Sequence, residues 1–239
     1  MRCAALALAL TLIPTVGMAE NANYRNCVAW VDYDPNQALR DAEGWRDAGG
    51  GLAARHCRAL ALATLGEFGQ AAQESQSIAA EMPPSSARLD ALISAGEYFM
   101  SAGDPYSARQ QFDLALIDAP NNPEALESRA RSLAAAGDMP GAMNDLNALL
   151  LVAPGNVEAL TLRAAARRRM GDPSGALADA ETALAYDPGS AISYFERGAA
   201  RAVTGDTNGA QSDWQRAASL DPGGPVADLA GANLARLSR

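Results

Sequence analysis

A glycine–aspartate pair returns every 34 residues, as Gly103-Asp104, Gly137-Asp138, Gly171-Asp172 and Gly205-Asp206. No other feature limits the fold of this chain so strongly, because a fixed period of that length means one supersecondary unit stacked on copies of itself. Five residues after each glycine stands an alanine (Ala108, Ala142, Ala176, Ala210), and seventeen after it a proline (Pro120, Pro154, Pro188, Pro222). An earlier copy keeps the frame with Gly66, Ala71 and Pro83, offset by three extra residues in the connection that follows. Five units then cover 52–85, 89–122, 123–156, 157–190 and 191–224.

Each unit reads as a helical hairpin. The glycine supplies the left-handed residue that ends a first helix. The aspartate after it caps a second helix, and Pro105 and Pro173 suit that helix's first turn. The alanine lets the two helices approach closely, and the distant proline ends the second one. Composition agrees: 49% of residues are apolar but only 5% aromatic, which suits close helix packing through small side chains better than a β-sandwich.

The period and the glycine–alanine–proline spacing resemble the tetratricopeptide repeat family, in an exported bacterial member. The resemblance implies an all-α fold, an α-solenoid of helix-turn-helix repeats wound as a right-handed superhelix. The chain departs from the family where an early tryptophan is expected: Leu92, Leu126, Leu160 and Tyr194 stand there, and Arg55 in the first unit. The second-helix aromatic survives only as Phe112 and Trp214.

The flanks read as a signal and two caps. Arg2, an apolar run over 3–13, Pro14 and the small residues before Ala19 form a signal peptide over 1–19, with cleavage expected after Ala19 and a periplasmic or secreted mature protein. The apolar run is too short to span a bilayer, and no membrane span is expected in the mature chain. Residues 20–51 hold an irregular stretch followed by a capping helix at 34–48, with Ala38, Leu39, Ala42 and Trp45 on one face. Residues 225–239 form a C-terminal cap facing inward through Val226, Leu229, Ala230, Leu234 and Leu237. With Cys3 lost in the signal, Cys27 and Cys57 remain, and an even pair in an oxidising compartment reads as a disulfide. The alternative is a small metal or redox protein using Cys27, His56 and Cys57, although no CxxC occurs and ligands are too few.

The cations are all arginine, in a chain of formal charge −9. Eight residues before the glycines stand Arg58, Ala95, Arg129, Arg163 and Arg197; eight after them stand Glu74, Gln111, Asp145, Asp179 and Asp213. Wherever the first column holds arginine the second holds a carboxylate. That covariation predicts four ion pairs across the hairpins: Arg58–Glu74, Arg129–Asp145, Arg163–Asp179 and Arg197–Asp213. Arg167 occupies a slot that is apolar in three units, so its stem is expected to pack and its head to reach water. Arg168, with Arg169 at the rim, is left for recognition.

By the same resemblance, the first helices line a concave groove that takes extended or helical peptides. Carried onto this sequence, the groove is Asp90, Ile93 and Glu97 in the second unit and Glu124, Glu127 and Arg131 in the third. The fourth contributes Glu158, Thr161 and Arg168, and the fifth Phe195 and Glu196. The lysine–asparagine clamp for a partner's C-terminus does not stand at these columns. An acidic lining favours a protein or peptide partner carrying basic residues.

Catalytic and cofactor motifs are missing: there is no GxxxxGK[ST], GxSxG or HExxH. An acidic chain without a basic stripe is a poor nucleic-acid binder. The expected function is therefore an exported, non-catalytic interaction module or scaffold without cofactor. The alternative is an accessory factor that positions an envelope enzyme in cytochrome maturation or cell-wall synthesis.

Overall fold

The computed structural model describes residues 22–237, all of whose regular structure is helical. The signal segment over 1–19 lies outside the described residues. The helices are α1 (Ala22–Tyr33), α2 (Pro35–Asp47), α3 (Gly51–Thr64), α4 (Phe68–Glu81), α5 (Ser86–Ser101), α6 (Pro105–Asp118), α7 (Pro123–Ala135), α8 (Met139–Val152), α9 (Val157–Arg169), α10 (Pro173–Tyr186), α11 (Ala191–Thr204), α12 (Thr207–Leu220) and α13 (Pro225–Leu237). They form two compact units, one reaching Tyr98 and the other beginning at Phe99, so the division falls within α5. No described helix is long and apolar enough to cross a membrane.

Local chemistry sets the hairpins. Gly66, Gly103, Gly137, Gly171 and Gly205 all take φ between 79° and 90°, a backbone region that β-carbons disfavour. Asp104, Asp138, Asp172 and Asp206 each accept a hydrogen bond from the backbone N–H three residues on, at 2.8–3.0 Å, satisfying a donor that the helix start leaves open. Asn122, Asn156 and Ser190 do the same for α7, α9 and α11.

In the second unit, α7 through α13 pack each on the next, and α7, α9 and α11 also touch in succession. Those first helices form one layer, with α8, α10 and α12 against its other side. Alanine permits the close approach: Ala142, Ala176 and Ala210 are buried. Gly198 serves the same end, since a β-carbon there would meet the Trp214 indole at 2.8 Å. Trp214 in turn donates from Nε1 to the Phe195 carbonyl at 3.1 Å.

The second unit ends on a cluster of Phe195, Ala199, Ala210, Trp214, Ala217 and Ala230, against which Val226 and Leu234 of α13 pack. Leu229 and Leu237, expected on the inner face of this cap, are 51% and 37% exposed. Among the described residues, α13 meets the last hairpin along a narrow line through Val226, Ala230 and Leu234.

The first unit departs from expectation at its start. Residues 22–33, read as irregular, form α1, which packs on α2 and α3. Cys27 and Val31 are its only buried residues. They join Ala38, Ala42, Cys57 and Ala61 in one core. The Cα atoms of Cys27 and Cys57 are 6.3 Å apart, within the span of a disulfide.

Candidate functional site

The four expected pairs between arginine and carboxylate all form. Arg129, Arg163 and Arg197 each bond both oxygens of Asp145, Asp179 and Asp213, through Nε at 2.8–3.0 Å and Nη2 at 2.6–2.7 Å. Such forked pairs fix orientation as well as charge. Arg58 bonds Glu74 through Nη1 at 2.8 Å. The bond to Asp145 raises the Arg129 pKa further above its ordinary value. The third nitrogen reaches the preceding hairpin: Arg129 Nη1 donates to Asp113 and Arg163 Nη1 to Asn147, both at 2.9 Å. One side chain thus ties its own hairpin and the one before it. Gln111, where the repeat has Ala95 in place of arginine, is buried with its amide oxygen accepting no hydrogen bond.

Two arginines correct the sequence reading. Arg167 does not leave its head in water; it pairs with Asp179 at 2.9 Å and donates to the Gly175 carbonyl. Arg201 repeats this with Asp213. Both stand four residues after the first arginine of the pair, on the same helix face, so one buried carboxylate serves two guanidiniums. Arg168 is not free for recognition either. It bonds Glu196 across α9 and α11 at 3.1 Å. Burial pushes the Glu196 carboxyl above the ordinary glutamate range, against the opposing pull of Arg168 and Arg169.

The groove residues therefore divide. In the second unit Thr161 and Phe195 are buried along with Glu196, and the Thr161 hydroxyl lies 2.8 Å from that of Ser193. These join α9 to α11. Glu124 and Glu158 are exposed in the first turns of α7 and α9, where a carboxylate also complements the helix dipole. Glu127 and Arg131 are half-buried, and Glu127 accepts from the Asn156 amide at 3.4 Å. In the first unit Ile93 is buried, Glu97 half-buried and Asp90 exposed.

What the residue columns missed is an apolar hollow on the layer formed by α7, α9 and α11. It encloses about 210 Å³ and is lined by Ala130, Leu162, Ala165 and Ile192, with Arg169 and Glu196 at its border. A second, shallower hollow shares Thr161, Leu162 and Ile192 with the first and extends to Glu158 and Asp187. Ile192 stands where the earlier units carry Glu158, Glu124 and Asp90. That aliphatic residue after three successive acidic ones was the available signal.

The His56 Nδ1 and the Tyr24 hydroxyl share a hydrogen bond at 2.7 Å, with the two rings stacked 5.8 Å apart. Burial lowers the imidazole pKa, partly opposed by Asp90. Among the described residues no group of three His, Cys, Asp or Glu is placed to hold a metal ion.

Known proteins bear on this architecture. The family model described as "Tetratricopeptide repeat" matches residues 93–159 and 161–225. The chain belongs to the tetratricopeptide repeat family. No curated protein matches it by sequence. Solved tetratricopeptide repeat structures share its fold. One from Parabacteroides merdae superposes with a TM-score of 0.65 at 19% identity, covering 95% of this chain and 87% of its own. MamA superposes at 0.60 and 17% identity, covering 68% and 93%. YrrB, described as a tetratricopeptide repeat protein with an unusual peptide-binding site, superposes at 0.58 and 17%, covering 80% and 96%.

Proposed function

We propose that this protein is an exported, non-catalytic scaffold that holds a segment of a partner protein on the layer formed by α7, α9 and α11. The observation that carries this reading is the apolar hollow around Leu162 and Ile192 beside the exposed Glu158. Ile192, 38% exposed, stands beside this cavity. Exposed apolar surface rimmed by polar groups marks an interaction site. YrrB, of the same fold, is described as binding peptide, which supports the same use here.

Export follows from the signal-like segment over 1–19 and from the paired cysteines. We take Cys27 and Cys57 to be joined in the mature protein, since both are buried and their Cα atoms lie within disulfide reach. Photo-crosslinking in the cell from the α7–α9–α11 layer tests the proposal, with the outer helices as control.

A further inference from the structure

The lining of the two adjoining hollows changes character along α9. Glu158, exposed, opens the helix; Leu162 follows one turn later; Arg169, exposed, closes it. Ile192 of α11 and Leu162 of α9 line the same cavity, together with Ala130 and Ala165. Alanines at those places create the depression, which no side chain of the described residues fills. Asp187 adds a second carboxylate on the Glu158 side. Acid, apolar hollow and base therefore lie in order along one helix.

We infer that this hollow takes one aliphatic side chain of an extended partner segment, whose basic residue two positions away is held by Glu158. The inference rests on the reading above and specifies the partner's chemistry. Spacing sets the register. Glu158 and Leu162 are one helical turn apart, about 6 Å along the axis. An extended chain covers that distance in two residues, and residues two apart point to the same side. The basic class follows from complementarity with Glu158 and Asp187, whose carboxylates face solvent.

The test uses short synthetic peptides with capped ends and a glycine–serine background, measured for binding to the full mature chain. One carries Arg-x-Leu, one Arg-x-Ser, one Arg and Leu adjacent, and one Glu-x-Leu. Arg-x-Leu is expected to bind, and loss of the leucine to weaken binding roughly tenfold or more, as burial of one aliphatic side chain implies. Ile192→Asp removes that binding. Glu158→Arg moves the preference to Glu-x-Leu. Both positions are solvent-facing, so far-ultraviolet circular dichroism should show unchanged helicity. Failure of Arg-x-Leu to bind, or binding indifferent to the leucine or to Ile192→Asp, overturns the inference. If Glu158→Arg still abolishes capture of the cellular partner while Ile192→Asp does not, the anchor fails and the layer remains the site. If neither changes capture, the functional reading falls as well.

Discussion

Four arginines stand eight residues before a repeat glycine, and each bonds the carboxylate sixteen residues further on. A column of like residues could have been a basic stripe for recognition; the matching acidic column made it a fold device instead. The Asp179 side chain is 6% exposed and that of Arg163 18%, so the pair is mostly desolvated but the guanidinium still reaches water. A double-mutant cycle at Arg163 and Asp179 should give a coupling of about 2 kcal/mol in urea unfolding, below that of a fully buried pair. A coupling near zero contradicts the assignment. Asp179→Ala should cost more than Arg167→Ala, because it strands two arginines at once.

His56 makes a second residue-scale prediction. Its folded pKa lies below the ordinary 6.5, so the unfolded chain binds more protons in the window just beneath that value. Stability therefore falls as pH drops through it. Glu196 is shifted upward, so its contribution is full below its ordinary value of 4.5 and is lost as pH rises through its folded pKa. The two contributions slope oppositely with pH, and the comparison with His56→Gln isolates the histidine. That variant should show a flatter loss of stability between neutral pH and about pH 5. An unchanged slope contradicts the reading.

At the scale of elements, much of the fold was legible because the repeat supplies its own alignment. Glycine turns, aspartate caps and ion pairs each recur in several units, so a feature invisible once becomes visible in column. Elements outside the repeat had no such support. Helix α1 buries only Cys27 and Val31, too few apolar positions to mark a helical face. Leu229 and Leu237 matched the periodicity of α13 but found nothing to cover them. The same weakness of α1 makes the cysteine pair consequential. Cys27→Ala should lower stability by about 2–4 kcal/mol and open α1 to proteolysis, and reductant should do the same to the parent. A parent whose urea midpoint is indifferent to reductant contradicts a disulfide.

For the whole molecule, the candidate site was only partly legible. The groove residues carried over by resemblance included Thr161, Phe195 and Glu196, which the packing of α9 on α11 withdraws from solvent, and Arg168, which Glu196 occupies. Packing between successive first helices decides which of two neighbouring columns stays open, and one sequence does not state its outcome. Leu162 stands where the second, third and fifth units carry Ser94, Ser128 and Glu196, and Ile192 where the second, third and fourth carry Asp90, Glu124 and Glu158. The function rests on whether that layer meets the partner. A photo-reactive residue placed at Glu158 or Ile192 should trap a discrete partner in the cell, whereas one at Leu151, 84% exposed on α8 of the other layer, should not. Adducts formed from Leu151 and not from Glu158 or Ile192 would contradict the account.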